Sequence, residues 1–138
     1  MLLKFFILSL LIIIFTGCGY KQPISTKSAT VVVKTPNLKF YDKGFIEKYQ
    51  DKVRLTIFNL GVVIDDMTIY KDRVCKNFIL CIDAAEFNSN YLDESYEKDF
   101  LYNLFNDEDI NFKDKENGIL IRILYDKNED ENNTTLEK

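Results

Sequence analysis

Three cysteines (Cys18, Cys75 and Cys81) and a scatter of acidic residues are the side chains of this sequence with chemical potential. The chain has no histidine, which removes the commonest general base and the commonest transition-metal ligand together. A nucleophilic cysteine at 75 or 81 therefore lacks its usual partner, and the C-x5-C spacing is not the C-x2-C of redox motifs. Asp65-Asp66 is the obvious acidic pair, but adjacent residues on a strand point to opposite faces and do not share a proton. Two calcium-loop templates also fail. A loop from Asp107 aligns Asp109 and Asn111 with ligand positions, then puts Phe112 where the turn glycine belongs and Gly118 where the closing glutamate belongs. A loop from Asp126 aligns Asn128, Asp130 and Glu137, but Glu131 takes the glycine position. No G-x-S-x-G elbow and no glycine-rich phosphate loop occurs among the 5 glycines. The expectation is a protein without enzymatic activity, metal or cofactor.

Composition narrows the partners. The 138 residues carry 18 basic and 22 acidic side chains, a formal net charge of −4. An acidic balance without a basic block argues against nucleic acid and against peripheral binding to anionic lipid. Tryptophan is absent, but 8 Tyr and 11 Phe supply the aromatic bulk of a β-rich core.

The elements that would position these residues are mostly strands. Ala29–Lys34 is β-branched and ends at Thr35-Pro36-Asn37. Leu38–Tyr41 is a second short strand, Asp42-Lys43-Gly44 a turn signal, and Phe45–Tyr49 its returning partner. In Lys52–Leu60, Val53, Leu55 and Ile57 alternate with Arg54 and Thr56, the period of a half-buried ribbon. Asn59-Leu60-Gly61 then separates it from Val62–Tyr70 as a hairpin or a bulge. Ala84–Leu92 holds a helical turn. Ser95 is a good N-cap, and Tyr96, Phe100 and Leu104 recur every four residues, so Tyr96–Phe105 is expected as a short amphipathic helix laid on a sheet. Ile110–Lys113 is a strand and Asp114–Gly118 a turn. Ile119–Tyr125 is apolar at nearly every position, the pattern of a central strand covered on both faces. Tyr41, Tyr49, Tyr70, Tyr91 and Tyr102 are candidates to line a groove, with core and rim packing the plainer role.

The N-terminus carries a different message. Lys4 precedes an apolar run from Phe5 to Phe15, the length of a secretory h-region and shorter than the roughly 20 residues of a membrane-spanning helix. Phe15-Thr16-Gly17-Cys18 follows directly and resembles the lipobox of bacterial lipoproteins. That resemblance implies a signal peptide at 1–17, cleavage before Cys18, and acylation (palmitate or a similar chain) of its thiol and new amino group. Two or three acyl chains hold a soluble domain stably, whereas one is marginal. Gly19 is not the aspartate that retains such proteins in the inner membrane, so the resemblance favours the outer membrane, facing the periplasm. With Cys18 set apart, Cys75 and Cys81 are an even pair in an exported chain, and such pairs tend to oxidise. Six residues of straight strand span about 20 Å while bridged Cα atoms lie within roughly 7 Å, so a disulfide requires the chain to reverse near Lys76-Asn77. The alternative is two buried thiols in one continuous strand. Asn132 and Asn133 each have an acid two positions upstream and a threonine two downstream, which resembles bacterial N-glycosylation sites.

These readings divide the chain into the signal at 1–17, a lipidated start and tether at 18–28, a β-rich domain at 29–125 and an acidic, disordered tail at 126–138. The expected fold is mainly β, an antiparallel immunoglobulin-like sandwich with one short helix; a compact α+β domain is the alternative. The order and shortness of the strands resemble small outer-membrane lipoproteins with a variant immunoglobulin fold. The function expected is a lipid-anchored, non-enzymatic module of the cell envelope that contacts another envelope protein. Ala29–Lys34 and Leu38–Tyr41 are the candidate edge strands for that contact. The alternative is a small-ligand or lipid carrier, with Tyr96–Phe105 covering an aromatic-lined cavity.

Overall fold

A computed structural model describes residues 21–77 and 79–126. The stretch expected to be a signal peptide, Cys18 and the two tail sequons lie outside the described residues. The chain is mainly β and antiparallel throughout, as the alternation predicts. Its strands are β1 (Ser25–Lys34), β2 (Lys39–Lys48), β3 (Val53–Asn59), β4 (Val62–Ile69), β5 (Arg73–Lys76), β6 (Leu80–Asp83), β7 (Asn111–Asp114) and β8 (Ile119–Tyr125). Two helices, α1 (Ala84–Tyr91) and α2 (Phe100–Asn106), separate β6 from β7. All eight strands belong to one sheet, in the order β6-β5-β4-β3-β2-β1-β8-β7.

Strand parity explains the layering. Ala29, Val31 and Val33 of β1 lie opposite Tyr125, Ile123 and Ile121 of β8, and Ile46 of β2 lies opposite Leu55 of β3. Directly paired residues share a face, so these side chains form one apolar surface. Phe87 and Leu92 from the α1 region and Leu101 and Phe105 from α2 close over it, giving a sandwich-like core whose second layer is helical. Gly44 sits inside this surface. A Cβ there would lie 2.7 Å from the Thr56 carbonyl oxygen and 3.0 Å from a Val31 methyl, so the close approach of β1, β2 and β3 requires glycine.

Several local expectations change. Asp42-Lys43-Gly44 is not a turn, because β2 runs through it with strand partners on both sides. Ser25–Ser28, expected in the tether, is the start of β1 and pairs with Phe45–Lys48. Ala84–Tyr91 is a full helix, capped by the Asp83 carboxylate, which accepts from the Ala85 N–H at 2.9 Å. The second helix begins at Phe100 rather than Tyr96, since Ser95 donates its backbone N–H to Asp93 instead of capping a helix. Tyr96 is taken up elsewhere, stacking on Phe100 at 4.4 Å and donating its hydroxyl to Asp114 Oδ2 at 2.5 Å. In β8, Ile119, Ile121 and Ile123 are buried but Arg122 and Leu124 are exposed, so only one face of that strand is covered.

Gly44→Ala should destabilise the domain by about 2 kcal/mol, the usual cost of overpacking a filled site; urea unfolding measures it, and an unchanged midpoint would refute the close-packing account. Burial and the Asp114 acceptor push the Tyr96 phenol up from 10.0 to about 12. A folded value above the unfolded one means that stability held below pH 10 is lost as the pH rises toward 12. Tyr96→Phe should remove that alkaline decline in unfolding titrations.

Candidate functional site

The two described cysteines face each other across the β5–β6 hairpin. Cys75 is paired with Cys81 in the register and bonded to it, with Cα atoms 3.9 Å apart. The reversal falls where expected, and Asn77 takes a left-handed φ of 50° that an asparagine tolerates. Asp65 and Asp66 point to opposite faces. Asp65 approaches Lys76 at 3.6 Å on the helical side, while Asp66 accepts from Arg54 at 2.6 and 3.1 Å on the other. Glu47 joins the same guanidinium at 3.3 Å. This is a charge-assisted, forked arrangement, and Asp65 and Asp66, on opposite faces, are not positioned to share a proton. Asp107 ends α2, and among the described residues no group of three or more His, Cys, Asp or Glu side chains converges as a metal site would.

The cavity beneath the helices is nearly filled. Val33, Leu55, Met67, Phe87, Leu101 and Phe105 enclose about 20 Å3, against the roughly 300–1,000 Å3 of small-molecule sites. The candidate tyrosines do not line a common groove: Tyr49 and Tyr102 are buried, whereas Tyr41 stands exposed on the far side of the sheet.

The topology corrects one of the two proposed edge strands. β1, which contains Ala29–Lys34, is an interior strand paired on both sides, whereas Lys39–Tyr41 at the start of β2 pairs with β1 alone, because β3 joins β2 only from Lys43. The outer edges are β6 and β7. A further open edge arises because β5 pairs with β4 only over Met67–Ile69, and the Asn77 N–H closes on the Asp66 carbonyl at 2.9 Å. Beyond that point, Val62–Asp65 has no strand on its β5 side among the described residues. A bulge between Ile57 and Phe58 leaves Ile64 as the extra residue of β4, and Val62, Val63 and Ile64 are all exposed. Ile79 and Leu80, also exposed, stand at the neighbouring hairpin. Leu80 borders an apolar groove of about 270 Å3 formed with Val74, Ile82, Phe87 and Tyr91. Together these form a notch in the sheet: an open ladder with apolar walls, suited to receive an added strand.

The face opposite the helices is open as well. Phe45 and Phe58 meet edge to face at 5.5 Å beside the Arg54 cluster, bordering a shallow groove of about 380 Å3 with Val63 and Thr56. The strand alternation could show that such a face exists. Only the register shows which residues of distant strands meet there.

Comparison of the chain with family models, with curated proteins and with solved structures finds no match.

Replacing both hairpin cysteines (Cys75→Ala with Cys81→Ala) should cost about 2 kcal/mol, the loop-entropy value for so short a closure. Urea unfolding with and without reductant checks this. Equal midpoints for oxidised and reduced protein would mean the crosslink does not constrain the unfolded chain.

Proposed function

We propose that this is a lipid-anchored protein of the bacterial cell envelope, without enzymatic activity, that binds another envelope protein. The observation that carries the binding role is the notch along β4, where an open backbone edge coincides with exposed Val62, Val63, Ile64, Ile79 and Leu80. A free apolar edge is an aggregation hazard that proteins ordinarily cover, and a partner strand covers it here. Strand addition satisfies the open N–H and C=O groups, and the apolar walls add side-chain selectivity.

The anchoring role rests on Phe15-Thr16-Gly17-Cys18 after an apolar run. The chain enters β1 where Ile24 bonds to Lys48 at 2.7 Å and Lys21 pairs with Asp51 at 3.6 Å, and Cys18 is three residues upstream. A disulfide at 75–81 fits an oxidising compartment outside the cytoplasm. The acylated protein therefore faces the periplasm from the outer membrane. The carrier alternative needs a cavity more than tenfold larger than the enclosed space of about 20 Å3.

Intact mass of protein purified from envelope should begin at Cys18 and include two or three acyl chains, with Cys75 and Cys81 resistant to alkylation until reduced. A mass retaining Met1 would overturn the anchor. Crosslinking in solubilised envelope should capture a partner that Ile64→Lys and Leu80→Lys variants release without loss of fold. A wild-type protein that stays alone and monomeric would overturn the binding role.

A further inference from the structure

The whole chain is acidic, yet one end of its open sheet face is basic. We propose that this end, formed by Lys34, Lys39, Lys113 and Arg122 with Tyr41 and the Leu60 hairpin tip, rests on an anionic phospholipid bilayer. This surface meets the β4 notch only at Val62, and the inference does not depend on the lipid anchor.

The register assembles it. Lys39 pairs with Lys34, Lys34 with Leu120, and Leu120 with Lys113. The next row is Tyr41, Val32, Arg122 and Asn111. At about 4.8 Å per strand these cations lie within a patch roughly 15 Å wide. Lys34, Lys39 and Lys113 form no salt bridge among the described residues. Three acids of this face, away from the patch, are engaged: Glu47 and Asp66 by Arg54, Asp126 by Lys43. Asp114, next to Lys113 in sequence, lies on the helical face and accepts from the Tyr96 hydroxyl, and Glu116, in the β7–β8 turn, is adjacent to Lys115.

Beside the lysine row stands an apolar apex. Leu60 is 99% exposed, Val62 65% and Tyr41 72%. Leu60 and Gly61, with φ of 49° and 81°, make the tight two-residue turn that projects the tip. Lysines are depleted at the cores of protein interfaces, whereas lysines with an aliphatic and aromatic tip match an interfacial membrane contact. The expectation against anionic lipid rested on the net charge of −4, but at physiological salt the field is screened beyond about 8 Å and the local patch decides. β1 is about 30 Å long, and the chain enters at its opposite end. An anchor at that end and this patch reach the same bilayer when the strands lie along its surface, leaving the notch accessible from the side.

The chain contains no tryptophan, so Leu60→Trp places a single indole reporter at the apex of the full-length protein. Vesicles of phosphatidylcholine alone and with phosphatidylglycerol are the probes. The expected result is a blue shift, and quenching by brominated lipid, only when phosphatidylglycerol is present, both reversed by salt. Adding Lys34→Gln, Lys39→Gln and Lys113→Gln should weaken this partition about a hundredfold, at roughly fivefold per lysine. Tyr41→Trp, at an exposed position outside the notch, is the second reporter should Leu60→Trp fail to fold by circular dichroism. An unshifted emission with phosphatidylglycerol, an equal shift on neutral vesicles, or a shift produced by soluble polyglutamate in place of vesicles would each overturn the proposal. Because the signal arises at the tip, it is separable from anchoring, and repeating it with Cys18→Ser should leave its lipid dependence unchanged.

Discussion

Everything in this fold depends on β1 being buried between β2 and β8. The meander from β1 to β6 and the β7–β8 hairpin come from opposite ends of the chain, and β1 is where they join. Ten of its residues pair with β2 and six with β8. Its inward side chains, Ala29 and Val31, are completely buried. Such long-range pairing is entropically costly to close, and it persists because the joined sheet presents one continuous apolar face. That face is what α1 and α2 cover. Without the β1–β8 ladder, Ile119, Ile121 and Ile123 would lose their place in the core.

The covered and open faces differ in how their side chains are matched. On the helical side the side chains interlock, leaving little enclosed space, and buried polar side chains there are matched except the Tyr125 hydroxyl. Asn88, for example, is buried and donates to the Glu97 carbonyl at 2.9 Å. The Lys48 ammonium, its pKa lowered by burial, donates to the carbonyls of Asn106 and Asp107 at the end of α2. On the open side, the polar cluster of Arg54, Asp66 and Glu47 is satisfied, while apolar and basic groups stand exposed. Among the described residues Asp65 and Asp66 face opposite sides, and no three ligand-type side chains converge as a metal site would. Surface complementarity, through an unfinished strand ladder and a charged rim, is the resource the structure offers.

How much could be read in advance followed the range of the interactions. The alternation at Val53, Leu55 and Ile57, the glycine-bearing turn after Asn59, and the reversal between the cysteines are local, and each is present. The opposed faces of Asp65 and Asp66 followed from backbone parity alone. Asp42-Lys43-Gly44 looked like a turn because its composition favours one; partners on both sides hold it extended, and Gly44 serves close packing instead. Tyr96 fitted a helical period, yet its aromatic contacts and its bond to Asp114 placed it in the loop before α2. Proximity to the N-terminus suggested that Ala29–Lys34 lay at an edge, but edge position is a property of sheet order, which no single strand encodes.

The amino-acid sequence by itself determined the mainly β class, the two sharp hairpins and the absence of histidine chemistry, because periodicity, turn residues and composition act over a few neighbours. Tertiary structure alone decided that β1 is central, that β4 is left open beside exposed Ile79 and Leu80, and that Lys34, Lys39 and Lys113 share one rim. Those lysines are separated by up to seventy-nine positions along the chain. What brings them together is the antiparallel register between β2, β1, β8 and β7, a product of backbone pairing and core burial rather than of anything in their own surroundings in the sequence.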